Sequence, residues 1–330
     1  MEKKSVYGMT EGSPAKLLLS FTIPMLIGNL FQQFYNMVDS IVVGRFVGAN
    51  ALAAVGATGS LNFLFFSMSF GVSAGVGVVL SQYFGADKSD MVGRSFANGM
   101  YLLTLVSAIM SIVGIVSARA VLMLLNTPES ILDDAVLYMR VSCAGILAIA
   151  AYNGVAAVLR ALGDSRTPLY FMVVSCIINI ALDLVFVIVC QWSVFGVALA
   201  TVIAQLVAAI GAFIYAFCKI PILRVNKECR RVKPDIMEKC FRLGFPIALQ
   251  NSLIAFSCIF LQRVVNGFGE DVVAANTALS RIEQLVQQPY NSLGAALTTF
   301  TGQNIGAGKV DRVKQGHRVG VICVIAFSIL

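Results

Sequence analysis

Residues 168–190 read PLYFMVVSCIINIALDLVFVIVC, a run in which Asp183 is the only charged residue. A helix needs about 20 apolar residues to cross the hydrocarbon core of a bilayer, and at that length it satisfies its own backbone hydrogen bonds. Comparable runs lie near 16–43, 52–83, 96–118, 135–160, 196–218, 242–266 and 272–304, and another begins at 319. The pattern predicts eight complete spans and part of a ninth. Segments of about ten residues with alternating polarity, the mark of a membrane β-barrel, are not found. Composition points the same way, with 58% hydrophobic residues, 12% charged residues and a mean hydropathy of +0.83. A soluble domain carries about 25% charged residues, so this chain reads as an all-α integral membrane protein.

The net charge of +7 does not indicate a nucleic-acid partner, because the basic residues sit in the loops between apolar runs. Alternate loops gather Lys3, Lys4, Lys16, Lys88, Arg94, Arg160 and Arg166, then eight from Lys219 to Arg242, then Lys309, Arg312, Lys314 and Arg318. One side of the membrane, the basic face, therefore holds 19 of the 24 Lys and Arg residues. By the positive-inside rule this face and the N-terminus are expected in the cytoplasm of a multi-pass protein of the cell (inner) membrane. No A-x-A site follows a short apolar region, so the first span is expected to be retained. The lipid bilayer is the expected partner, and a monomer the expected state. The cysteines lack CxxC spacing and His317 is the only histidine, which argues against a zinc site.

A polar loop repeats. SQYFGADKSD (81–90) resembles GQNIGAGKVD (302–311), with Gln, Gly, Ala, Lys and Asp matching at an offset of 221. Gly48 and Ala53-Ala54 match Gly269 and Ala274-Ala275 at the same offset, and Pro24 matches Pro246 at 222. Six spans precede the second copy, so the chain returns to its starting side and the copies run parallel. The expected organisation is a six-helix N-terminal lobe at 1–218, a charged cytoplasmic linker at 219–241 and an incomplete C-terminal lobe at 242–330. Leu330 corresponds to position 109, inside the third span, so about three spans, on the order of 110 residues, are expected to be missing. Pro24, Pro246 and Pro289 fall within spans, where proline favours bends.

Acidic residues within spans are expensive and usually functional. Asp39 in the first span and Asp183 in the fifth are both expected in the half away from the basic face. Asn179 shares a helix face with Asp183, Asn36 lies one turn from Asp39, and Thr201 enters the same level on the sixth span. Two carboxylates, two amides and a hydroxyl form a hard-oxygen set suited to protons or a small cation such as Na⁺. Repulsion between two desolvated carboxylates makes uptake of a neutralising ion favourable. Arg281 and Glu283 lie two apart in the eighth span and do not face each other, and with Gln284 they are candidates for a wet cavity or a second coupling element.

Several of these stretches resemble the multidrug and toxic compound extrusion (MATE) family: PMLIGNLFQQFYNMVDSIVVG (24–44), LRALGDSRTP (159–168), NIALD (179–183) and SRIE (280–283). The resemblance runs along essentially the whole chain. It implies a twelve-span fold of two parallel six-helix lobes and a secondary active antiporter. Such a transporter exports cationic or amphipathic organic compounds in exchange for H⁺ or Na⁺ by alternating access. No further cofactor is implied. It also implies that Asp39, Asn179, Asp183 and Thr201 form the cation-coupling cluster of the N-terminal lobe. The seventh span lacks the glutamate that some branches carry, which favours coupling through the N-terminal lobe. The alternative within the superfamily is a flippase for lipid-linked oligosaccharide or lipid II, although such cavities are basic and the charges within these spans are mainly acidic. An enzyme is not expected.

Overall fold

The apolar runs fold as helices throughout a computed structural model that describes residues 8–224, 228–268 and 270–329, several side chains between 262 and 281 excepted. Lys3, Lys4, Lys227 and Gly269 lie outside the described residues, as do the side chains of Ala274 and Arg281. In chain order the helices are α1 (Pro14–Val42), α2 (Ala49–Gly85), α3 (Ser89–Leu124), α4 (Glu129–Ala144) and α5 (Ile146–Ala161). They continue as α6 (Arg166–Leu184), α7 (Ser193–Lys219), α8 (Pro234–Asn266), α9 (Glu270–Gly306) and α10 (Val310–Ile329), and no strand occurs among the described residues. Among the described residues, six helices are long and apolar enough to cross a membrane, and α4–α5, bent by 42°, makes a seventh if counted as one span.

The helices depart from simple spans in two ways. The fourth apolar run breaks at Gly145, where a side chain would meet Val202 and the Ser142 carbonyl. The first and fifth runs each end in a π-helical turn, Val43–Val47 after α1 and Val185–Val189 after α6. Pro24, Pro246 and Pro289 lie within α1, α8 and α9 as expected. Helix α8 starts at Pro234, earlier than hydropathy suggests, with proline at its first turn and Asp235 favourably placed near the N-terminal end of the helix dipole.

Helix α2 is the central strut. Val72, Val76 and Val79 pack with Phe96 of α3, Val155 and Leu159 of α5, and Ile236 and Cys240 of α8. Large apolar side chains elsewhere point outward, as with Val116 at 75% exposure and Leu124 at 80%, a pattern suited to lipid contact. Helices packed in lipid gain little from hydrophobic burial, so small residues that let backbones approach hold them together. Gly71 of α2 faces Ala248 of α8, and Gly75 faces the Cys240 carbonyl and Gly244. Further along α2, a Cβ on Gly85 would overlap the Gln303 carbonyl of α9, and a Cβ on Gly306 would overlap the Gln82 carbonyl.

These last contacts give the sequence repeat its spatial meaning. Gln82 and Gly85 correspond to Gln303 and Gly306, so each copy touches the other through equivalent residues. The loops also fold alike. Ala86 N–H and Lys88 N–H donate to the carbonyls of Gln82 and Tyr83, while Ala307 N–H and Lys309 N–H donate to those of Gln303 and Asn304. Asp87 and Gly308 both take the left-handed conformation, with φ of 56° and 71°. Such a turn closes the end of a helix by satisfying its last carbonyls.

Gly85→Val and Gly306→Val are expected to force the two copies apart, at about 1–3 kcal/mol of overpacking each. Gly56→Ala, on α2 with no neighbour within 4 Å, is expected to be neutral or slightly stabilising. Thermal unfolding of purified protein followed by size exclusion checks the contrast.

Candidate functional site

Asp39 lies on α1 one turn before the Val43–Val47 π-turn, and Asp183 lies on α6 just before the Val185–Val189 π-turn. Val42, Val43, Val187, Val194 and Val197 pack around these turns, pinning the far ends of α1, α6 and α7 together. A π-turn inserts an extra residue into the helical repeat and recurs at functional sites. Lower down, α1 docks on α6 through Gly28, which faces Leu169, and through Phe31, whose carbonyl accepts from Cys176 Sγ at 3.6 Å. Tyr35, Tyr152, Met172, Cys176 and Ala208 complete that interface. This packing brings the carboxyl groups of Asp39 and Asp183 alongside one another.

Around the pair, Asn179 and Asp183 share one face of α6 and are 1% and 0% exposed. Asn179 Nδ2 donates to Thr201 Oγ1 at 3.3 Å, and that hydroxyl donates to the Val197 carbonyl at 3.2 Å. The structure therefore groups Asp39, Asn179, Asp183 and Thr201. Asn36, Glu283 and Gln284 are exposed and stand outside this buried group. The side chain of Arg281 is outside the described residues.

Three neighbours escaped the sequence reading. Tyr138 of α4 lies within electrostatic range of both carboxylates, and Tyr35 of α1 lies beside Asp39 with Gln32 and Gln205. Gln205 sits one turn beyond Thr201 on α7 and is 5% exposed. Its spacing of four from Thr201 repeats that of Asn179 and Asp183, a signal present in the sequence. The two tyrosines gave no such signal, since aromatic residues in apolar helices are ordinary.

What sets the group apart is an excess of acceptors. Both carboxylate oxygens of Asp183, Oδ1 of Asp39, Oδ1 of Asn179 and Oε1 of Gln205 are buried without a hydrogen-bond donor from the protein. Asp164, at the start of α6, shows the contrast: it accepts from Arg166 N–H and Thr167 N–H at 3.0 Å and from Thr167 Oγ1 at 2.6 Å. A buried polar group without a partner is unfavourable, and two adjacent carboxylates repel each other as well. The arrangement fits a proton shared between the carboxylates or a small hard cation bound by oxygens. No group of three or more His, Cys, Asp or Glu placed to hold a metal ion occurs among the described residues.

Comparison with known proteins shows the family and the fold. The MatE family model matches residues 24–185 and 246–330, two segments that begin at the repeat-related Pro24 and Pro246. The probable multidrug resistance protein YpnP of Bacillus subtilis is 32% identical over 93% of this chain and 68% of its own length. The probable multidrug resistance protein YoeA of the same organism is 30% identical over 91% of this chain and 66% of its own. The chain thus spans about two thirds of the length of these relatives. Among solved structures, a multidrug resistance MATE family transporter of the MOP superfamily in an outward-facing conformation superposes with a TM-score of 0.91. Its identity is 23%, covering 99% of this chain and 73% of that one, and it shares the fold.

Asp183→Asn is expected to raise the thermal stability of the purified protein in the absence of Na⁺, by removing one of two adjacent carboxyl groups whose buried oxygens lack donors. Asp164→Ala is expected to lower it by roughly 1–2 kcal/mol through loss of a helix cap. Thermal melts of the two variants beside the parent check both signs.

Proposed function

The chain belongs to the MatE family of transporters and is not an enzyme, and on that premise we propose that it takes part in proton- or sodium-driven export of cationic or amphipathic organic compounds. The donor-free oxygens of Asp39 and Asp183 carry the reading. The names of YpnP and YoeA as probable multidrug resistance proteins favour drug and toxin export over the flippase alternative. Broad specificity of this kind comes from cavity shape rather than from a dedicated set of polar contacts.

In the proposed cycle an ion entering from the face opposite the basic loops neutralises Asp39 and Asp183. Thr201, held by Val197 and Asn179, would orient Asn179 so that its free oxygen completes the ion's surroundings. Loading removes the repulsion between α1 and α6 and allows α1 to pack more tightly against α6. Because α1 also contacts α9 through Asn29 Nδ2, which donates to Ser292 Oγ at 3.0 Å, a shift of α1 reaches the second copy. The ion's arrival and the substrate's departure are then linked by one moving helix, as an exchange by alternating access requires. The basic face would be cytoplasmic, the membrane that of the cell, and the working unit a monomer, with no nucleic-acid partner.

Cells expressing the protein are expected to accumulate less ethidium than controls. Asp39→Asn and Asp183→Asn should each abolish most of that export at unchanged membrane expression. Wild-type export in both variants would remove the coupling assignment. Vesicles given separate Na⁺ and pH gradients identify the driving ion.

A further inference from the structure

Each repeat copy begins with a short non-helical segment that crosses to the other copy at the basic face. The segment before α1, residues 9–12, lies against α9 and α10. Met9 N–H donates to Gln303 Oε1 at 2.7 Å, and Asn304 Nδ2 donates to the Met9 carbonyl at 3.2 Å. Lys309 Nζ donates to the Thr10 carbonyl at 3.0 Å, and Arg312 donates to the Gly12 carbonyl at 2.9 Å. Met9, 3% exposed, packs with Leu18 and Phe21 of α1 and with Ala296 and Phe300 of α9. The segment before α8 does the reverse. Lys233 N–H donates to Asn98 Oδ1 of α3 at 2.7 Å, and Asn98 Nδ2 donates to the Arg231 carbonyl at 3.2 Å.

In both places a buried side-chain amide uses its oxygen and nitrogen together. Asn98 grips two main-chain groups of one segment. Gln303 joins Met9 to the Ala161 carbonyl at the end of α5, to which its Nε2 donates at 2.9 Å. A buried amide satisfied at both ends is costly to pull apart, because separation strands a donor and an acceptor at once. Gln303, which holds the first strap, is also the residue whose carbonyl Gly85 crosses, and Gly306 crosses Gln82 in turn. Separating the copies at the basic face therefore breaks the straps and the glycine crossing together.

We propose that residues 9–12 and 231–233 form a reciprocal pair of straps that latches the two copies shut at the basic face, and that both must release before a pathway opens there. The latch deepens the alternating-access reading and rests on it for its role in transport, while its existence is tested without reference to ion or substrate. Arg312→Ala removes bonds to Met9, Gly12 and Asn304, and Asn98→Ala removes the second clasp; neither touches the glycine crossing.

Hydrogen–deuterium exchange on the parent and the double variant in nanodiscs is the test. The double variant is expected to exchange at least fivefold faster in both straps and also in the two hairpins at 82–90 and 303–311, with the 189–193 turn unchanged. Faster straps with hairpins at parental rates would make the straps passive tails and overturn the latch, as would unprotected strap amides in the parent. If the double variant does not fold, a cysteine pair at positions 10 and 309, bridged by a short bis-maleimide in a background without the eight native cysteines, decides instead. Bridging is expected to stop ethidium export at least tenfold, and unaltered export after bridging would overturn the latch. Absence of ethidium export before bridging would count against the substrate reading alone, and the hairpin exchange of the bridged protein, expected to fall below that of the unbridged one, would then decide.

Discussion

Inside a bilayer a polar group that the protein leaves unsatisfied has no water to turn to, and most of this structure follows from that constraint. Backbone groups are met by helices. Side chains that cannot avoid the interior return their hydrogen bonds to the main chain, as Ser73 does to Ser69 and Asn153 to Ile149, or meet across helices, as Ser67 and Ser252 do at 2.7 Å. Apolar surface contributes little to holding helices together, since lipid is an equally good environment for it. Close backbone approach takes its place, and the glycines of α2 supply it.

Thr22, Asn62, Arg94 and Ser95 each leave one buried polar atom unmet, but the aspartate pair departs furthest from the rule. Asp183 is wholly buried, lies beside a second carboxylate and receives no donor, while Asp164 a few turns away is fully capped. Folding alone gives no reason for such unequal treatment of two aspartates at the two ends of one helix. A helix end closed by a valine cluster and two π-turns holds the unsatisfied pair in place. Under the proposed function, neutralising the pair would relieve this unfavourable arrangement. In the proposed cycle the straps and the glycine crossing at the opposite face would supply the other half of a device in which one end loads while the other stays shut.

Much of this was legible in residue order. The apolar runs, the three prolines and the matching polar loops follow from the requirement that helices of fixed length cross a bilayer and return. Asp39, Asn179, Asp183 and Thr201 could be grouped because acids and their helical neighbours stand out against apolar surroundings. Other features depend on packing partners distant in sequence. The break at Gly145 answers to Val202, and the role of Gly85 is visible only once Gln303 lies against it. Tyr138 comes within electrostatic range of the carboxylates through the fold of α4, and its position in the chain carries no mark of this. The exchange of segments 9–12 and 231–233 was invisible for the same reason, since hydrogen bonds to main-chain carbonyls leave no pattern in side-chain order.

In the proposed cycle Asp39 and Asp183 carry an ion whose movement is tied to that of the exported compound. The most direct measurement is simultaneous ion and substrate flux in proteoliposomes, with a pH-sensitive dye or radioactive Na⁺ on one channel and ethidium on the other. Coupling through the aspartate pair predicts a fixed ratio between the two fluxes and loss of both in Asp183→Asn. Ethidium export with no accompanying ion, or a ratio unchanged in Asp183→Asn, would contradict it.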